Sequence, residues 1–75
     1  MKKIEKIILD IFKKNLKNKK ININSTVQTE ENWDSLNHVN IINETSKEFS
    51  IKISFHEMVN TNSVKKLIKI VKKKL

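Results

Sequence analysis

Apolar residues at helical spacing constrain the fold of this chain more than any other feature. Within the first 16 residues, intervals of three and four place five apolar side chains on one face of a helix: Ile4, Ile7, Ile8, Ile11 and Phe12. A second stripe of the same kind lies at the other end of the sequence: Val64, Leu67, Ile68, Val71 and Leu75. We therefore predict a first helix over residues 2–16 and a last helix over 63–74, capped by Asn62 or Ser63.

A third long helix is predicted over residues 34–49. Asp34 is a good N-cap because its carboxylate can accept hydrogen bonds from the first backbone N–H groups of a helix. Four apolar residues recur at helical spacing after it, and we expect the last three to be buried: Leu36, Val39, Ile42 and Phe49. The chain contains no glycine, so we expect that either Ser50 adopts the left-handed conformation that ends this helix or the helix end frays.

A short helix is predicted over residues 54–60. Ser54 and Glu57 have the spacing of a capping box, in which each side chain accepts a hydrogen bond from the backbone N–H of the other residue. Met58 and Val59 are then expected to face inward. His56 lies beside Glu57, but no further ligand at helical spacing and no cysteine accompany them, so we expect no metal site.

Residues 17–33 lack helical periodicity and are rich in Asn, Ser, Thr and Glu, so we predict a long loop. Trp33 ends this loop. Its ring either plugs the entrance of the following helix or contacts a partner. We favour the plug because buried area dominates what an aromatic ring contributes to stability.

Together these elements predict an all-α fold, a small bundle of three longer helices and one short helix in a single domain, residues 1–75. At this length the fraction of surface buried on folding is only about 60%, so the core must be small. The absence of cysteine excludes disulfides, thiolate metal sites and a cysteine nucleophile. Any thiol chemistry must therefore come from a cofactor.

The charge of the chain bears on which anionic partners it could bind. Sixteen lysines against eight acids give a net charge of +8, which favours a small basic module that binds nucleic acid or an anionic membrane. However, the chain has no arginine, the residue on which phosphate-binding surfaces mostly depend, so we expect no nucleic-acid partner. The charge is also uneven: +6 over residues 1–29, −4 over residues 30–57 and +6 over residues 58–75. The predicted third helix lies in the acidic segment, which argues against a chain whose function is to bind a polyanion.

The first residues do not have the pattern of a secretory signal. Asp10 interrupts the apolar run, and no small-residue cleavage site follows it. No segment approaches the length of a membrane span. We expect a cytoplasmic, monomeric protein.

Ser35 is the candidate for chemistry. It falls in the first turn of the predicted third helix, on the side away from the apolar stripe, where exposed N–H groups and the helix dipole favour a bound phosphate. His38 lies one turn further on, where its ring either reaches a phosphate on Ser35 or is an ordinary exposed histidine. We favour the second interpretation because a single imidazole without a partner acid is not an acid–base catalyst.

The chain resembles the acyl carrier proteins. It has the tripeptide Asp34-Ser35-Leu36 at the start of an amphipathic helix, and its other predicted helices match the family pattern of three longer helices and one short one. The resemblance covers residues 4–71 and implies that Ser35 carries phosphopantetheine, with Asp34, Leu36 and His38 around the attachment point. It also implies that the chain is not an enzyme. The implied partners are a phosphopantetheinyl transferase, an acyl- or aminoacyl-activating ligase, and an acyltransferase or synthase.

The resemblance is strongest to stand-alone carriers of specialised pathways, including glycan and surface-polysaccharide modification, which share a Trp-Asp-Ser-Leu-Asn-His motif. In such carriers apolar side chains pin the long loop, and Val27 matches one of these positions. General fatty-acid carriers present an acidic face after the serine, whereas this chain has neutral or basic residues there: Asn37, Asn40, Ser46 and Lys47. The resemblance therefore implies a dedicated carrier. Asn43 and Thr45 stand where the family often has apolar side chains, which implies a short or polar cargo.

Overall fold

A computed structural model describes residues 2–75, and its helices lie within one residue of the predicted ranges. The four helices described are α1 (Lys2–Leu16), α2 (Ser35–Phe49), α3 (Phe55–Asn60) and α4 (Val64–Lys74). Outside them, the described residues form one isolated antiparallel bridge and no named strand. The predicted all-α fold is therefore confirmed. None of these helices is both long enough and apolar enough to cross a lipid bilayer.

Local side-chain contacts define where the helices begin. The Asp34 carboxylate accepts a hydrogen bond from the backbone N–H of Asn37 at 2.9 Å. The capping box of α3 is present, and the Ser63 hydroxyl accepts from the N–H of Lys66 at the start of α4. Each cap satisfies a backbone donor that the first helical turn leaves without a partner. These contacts involve residues three apart, which is why the sequence predicts them well.

Two helices end on non-glycine residues in the left-handed region. Lys17 follows α1 and Ser50 follows α2, each with a φ of 52°. The Ser50 N–H donates to the Lys47 and Ser46 carbonyls and so satisfies the end of α2. The predicted role of Ser50 is confirmed. Because the chain has no glycine, both positions carry the steric cost of a side chain in this conformation.

The core lies where α1, α2 and α4 pack together. Its buried apolar residues come from all three helices and from the loop: Ile8, Ile11, Phe12, Leu16, Ile21, Trp33, Ile41, Ile42, Val64, Leu67, Ile68 and Val71. The predicted face of α2 was partly wrong, since Val39 is exposed and Ile41 and Thr45 are buried instead. The Thr45 hydroxyl can be buried because it donates to the Ile41 carbonyl of its own helix at 2.7 Å.

Two further predictions of burial were wrong. Val59 on α3 and Leu75 after α4 are exposed, whereas Met58 packs partly buried against the core. Helix α3 has only six residues and turns one edge toward the core, so a side chain next to Met58 faces outward. Leu75 lies beyond the last turn of α4, past the end of the core.

The long loop is held by its backbone more than by Val27. The Val27 N–H donates to the Asn62 carbonyl at 3.0 Å, and the Val64 N–H donates to the Ser25 carbonyl at 3.1 Å. These bonds attach the middle of the loop to the start of α4. The Val27 side chain is exposed, so its predicted role as an apolar anchor was wrong; Ile21 and Trp33 are the buried apolar residues of the loop.

A polar contact joins α1 to α2. The Lys14 ammonium pairs with the Glu44 carboxylate, and the Asn15 side-chain amide donates to the same carboxylate at 2.8 Å. The hydrogen bond from Lys14 lowers the pKa of Glu44 and the Asn15 bond lowers it further, while partial burial opposes them. The charged form of Glu44 is therefore favoured by the folded state.

Stability should therefore depend on pH through Glu44. Because its pKa is lower in the folded state than in the unfolded chain, its contribution is fully present above the ordinary carboxyl range and is lost as the pH falls through the folded pKa. Glu44→Gln should reduce the loss of melting temperature between neutral and acidic pH. Glu48→Gln, which removes the same charge from the same helix, is the matched control. An equal acid dependence in both variants would contradict the role of Glu44.

Candidate functional site

Ser35 occupies the first position of α2 and is exposed. Asp34 precedes it in extended conformation and caps the helix, so the serine itself is not needed as a cap. Two of the four N–H groups at this helix start have protein partners: Asp34 donates to the Asn32 carbonyl, and Asn37 donates to the Asp34 carboxylate. Within the described chain, the N–H groups of Ser35 and Leu36 remain for water or an anion.

A cleft of about 240 Å³ opens beside Ser35. Its walls come from the end of the loop, the first turn of α2 and the segment around the end of α3: Trp33, Asp34, His38, Val59, Thr61 and Asn62, with Val27 at the edge. The Ser35 side chain therefore lies at the edge of a groove between α2 and α3. Leu36, the next residue, is 70% exposed and lies outside the core.

Trp33 forms the floor of this region. Its side chain is only 6% exposed, and its ring packs edge-on against Phe12 of α1 with a centroid distance of 4.9 Å. The indole N–H donates to Nδ1 of His38 at 2.9 Å. The prediction that Trp33 plugs the helix entrance is confirmed, since the ring is buried with both its apolar face and its polar edge satisfied.

His38 connects α2 to α3. Its Nδ1 accepts from Trp33, and its Nε2 lies 2.7 Å from the carbonyl oxygen of Met58. A carbonyl can only accept, so Nε2 carries the hydrogen and the ring is the neutral Nε2–H tautomer. Both nitrogens are engaged, and neither is available to a phosphate on Ser35. The ring is half-buried, so the expectation of an exposed histidine was wrong.

Removing the His38 ring should destabilise the fold. His38→Ala leaves the buried Trp33 N–H without its acceptor and the Met58 carbonyl without its donor, so we expect a loss of about 1–3 kcal/mol in the free energy of unfolding. The measurement is urea unfolding followed by the fluorescence of Trp33, the single tryptophan. His56→Ala is the matched control, because His56 is exposed and contacts only Asn60 of its own helix among the side chains described.

The control should change the free energy of unfolding by less than about 0.5 kcal/mol. Equal stabilities of the two variants would show that the hydrogen bonds of His38 contribute nothing to the fold.

The sequence indicated Ser35 and Asp34 correctly as neighbours at a helix start, but it missed two parts of the site. Thr61 is buried and donates its hydroxyl to the Glu57 carbonyl at 2.7 Å, and Val59 lines the cleft from α3. No sequence signal identifies Val59, because its place beside Met58 predicts an inward-facing residue, and its exposed apolar surface is visible only in the structure.

Comparison of the chain with models of known protein families and with curated protein sequences found no match. In residues 2–75, no three side chains of the types that bind metal ions come together.

Proposed function

We propose that this protein is an acyl carrier and that the Ser35 hydroxyl is the attachment point for phosphopantetheine. One observation carries the proposal: Ser35 is the only one of the six serines that is both exposed and at the start of a long helix. The Ser25 hydroxyl accepts from the Asn22 N–H and is buried, and the Ser54 and Ser63 hydroxyls cap helices. Ser50 is exposed but ends α2, at the negative end of the helix dipole.

The residues around Ser35 fit a phosphodiester. The N–H groups of Ser35 and Leu36 point from the positive end of the α2 dipole, which favours an anion there. The Asp34 carboxylate accepts a hydrogen bond from the Asn37 N–H, and this bond reduces its repulsion of a nearby phosphate. The cleft between Trp33, His38 and Val59 offers a mostly apolar wall beside the attachment point.

The attachment is a transfer of the phosphopantetheinyl group from coenzyme A to Ser35, with adenosine 3′,5′-bisphosphate as the leaving group. The Ser35 oxygen attacks the phosphorus that carries pantetheine, a new O–P bond forms, and the bond to the adenosine-containing phosphate breaks. The hydroxyl proton goes to a base of the transferase, because His38 has both ring nitrogens engaged within the carrier. The attached group supplies a thiol, which this chain otherwise lacks.

The proposed role is that of a carrier in the cytoplasm, not of an enzyme. A ligase loads an acyl or aminoacyl thioester, and an acyltransferase or synthase of a specialised pathway takes it. The neutral and basic residues on α2 favour dedicated partners over generic fatty-acid synthases, because charge complementarity governs partner choice: Asn37, Asn40, Ser46 and Lys47.

The experiment is incubation of the purified protein with coenzyme A and a phosphopantetheinyl transferase of broad specificity, followed by intact-mass measurement. We expect the mass to rise by one phosphopantetheinyl group. Fragmentation should place this group on Ser35. No rise with several transferases, or modification on another serine, would contradict the proposal.

A further inference from the structure

A second, larger groove lies along α4 and is lined by a different set of residues from the cleft beside Ser35. It has a volume of about 430 Å³ and separates α4 from the loop and the start of α1. Its lining combines two isoleucines and four lysines of α4 with one acid and one serine: Ile23, Ile68, Lys65, Lys66, Lys69, Lys72, Glu5 and Ser63. None of its lining residues lines the cleft beside Ser35, so the two grooves are separate surfaces.

Isoleucine side chains provide apolar surface within this groove. Ile68 is 7% exposed and belongs to the core, whereas Ile23 in the loop is 39% exposed. Ile23 therefore presents apolar surface to solvent next to a recess. This apolar surface can contact a side chain that enters the groove, and such a contact would remove it from water.

The lysines around the groove have little structural compensation. Lys65 and Lys66 lie in the first turn of α4, at the positive end of its dipole, and α4 contains no acidic residue. Lys69 follows Lys65 by four positions, a spacing at which like charges repel. Lys72 pairs with Glu5 of α1 at 3.4 Å, which leaves an excess of positive charge around the recess. Among the described residues, the pair of Lys72 with Glu5 is the only ion pair that the groove lysines form.

The geometry points to this groove, which we call the lysine groove, as a docking site for an acidic segment of a partner protein. The fitting segment has one apolar side chain, which enters between Ile23 and Ile68, flanked by Asp or Glu residues that pair with Lys65, Lys66 and Lys69. This inference does not depend on the proposed role of Ser35. If both proposals hold, the partner binds the protein on a surface separate from the Ser35 cleft.

Two other anionic partners fit less well. A bilayer surface binds apolar side chains that protrude into it, whereas Ile68 is recessed at 7% exposure. Base readout and base stacking in nucleic-acid complexes rely largely on arginine and aromatic rings, and the groove contains neither. A peptide with carboxylates around an apolar side chain matches both the recess and its charge.

The test measures binding of a fluorescein-labelled short peptide, in which one leucine is flanked on both sides by glutamates, by fluorescence anisotropy. Lys65→Gln/Lys69→Gln should weaken binding by about tenfold. Ile23→Ser should weaken it by about fivefold, because it removes apolar contact at an exposed loop position. Lys19→Gln/Lys52→Gln removes the same charge from exposed positions outside the groove and should change binding less than twofold.

Three results would overturn the inference: no binding to the wild type, equal weakening by the two lysine pairs, or tighter binding of phosphatidylglycerol vesicles or polyuridine RNA through Lys65 and Lys69. Ser35→Ala should bind the peptide as the wild type does. The Lys65→Gln/Lys69→Gln variant should still accept phosphopantetheine. These two measurements separate a failure of the docking site from a failure of the proposed carrier function.

Discussion

Ser35→Ala is expected to abolish phosphopantetheine attachment completely. The Ser35 oxygen is the attacking atom in the proposed reaction, and alanine provides no oxygen to replace it. The variant should fold normally, because Asp34 and not Ser35 caps α2 and because the Ser35 side chain is exposed. Intact mass after incubation with coenzyme A and a transferase should therefore stay at the unmodified value, while circular dichroism and melting temperature match the wild type.

Ser50→Ala is the matched control for this experiment. Ser50 is the exposed serine at the opposite end of the same helix, so it tests whether position, and not only exposure, determines modification. We expect Ser50→Ala to be modified like the wild type. If Ser50→Ala lost modification while Ser35→Ala retained it, the attachment point would lie at the C-terminal end of α2. That result would contradict the proposed function.

Trp33→Ala is expected to have the largest effect on stability, with a loss of about 3–5 kcal/mol in the free energy of unfolding. The substitution leaves a cavity against Phe12 and removes the donor to His38. Native domains are commonly stable by only about 5–15 kcal/mol, so this loss removes a large share of the stability of a 75-residue chain. Urea unfolding followed by far-ultraviolet circular dichroism measures it, since the fluorescent residue is gone.

Trp33→Phe separates the two contributions of the indole. Phenylalanine retains a ring against Phe12 but has no N–H for His38, so we expect an intermediate loss that is well below that of Trp33→Ala. If Trp33→Ala and the wild type differed by less than about 1 kcal/mol, burial of the indole would contribute little. The alternative interpretation, in which Trp33 serves as a contact for a partner, would then be favoured.

The helices themselves could be predicted because their signals are local. A cap such as Ser54 with Glu57 depends on residues three apart, and an apolar stripe such as that of α1 depends on intervals of three and four. The left-handed end at Ser50 followed from the absence of glycine. The position of Ser35 in the first turn of α2 could be predicted for the same reason, since it depends only on the cap Asp34 and on the spacing of the apolar residues that follow.

The sequence alone did not determine which face of α2 is buried. The sequence after Asp34 has apolar residues on adjoining faces, and both Val39 and Ile41 fit a helical stripe with Ile42. Packing against α1 decided between them and buried Ile41 with Thr45. A threonine looks polar in a pattern, but its hydroxyl bonds within its own helix, so burial costs little once a neighbour covers it.

The chain by itself determined the four helices, their caps and the exposed serine at the start of α2, because each depends on interactions within about one turn. Only the tertiary structure decided what His38 does, since its partner Met58 lies 20 residues away on another helix. The same holds for the lysine groove, which Ile23 of the loop and Lys65 of α4 line together, and the bridge between Thr26 and Ser63 joins these two segments. Such contacts depend on how helices pack, and periodicity along one segment carries no information about the surface that covers it.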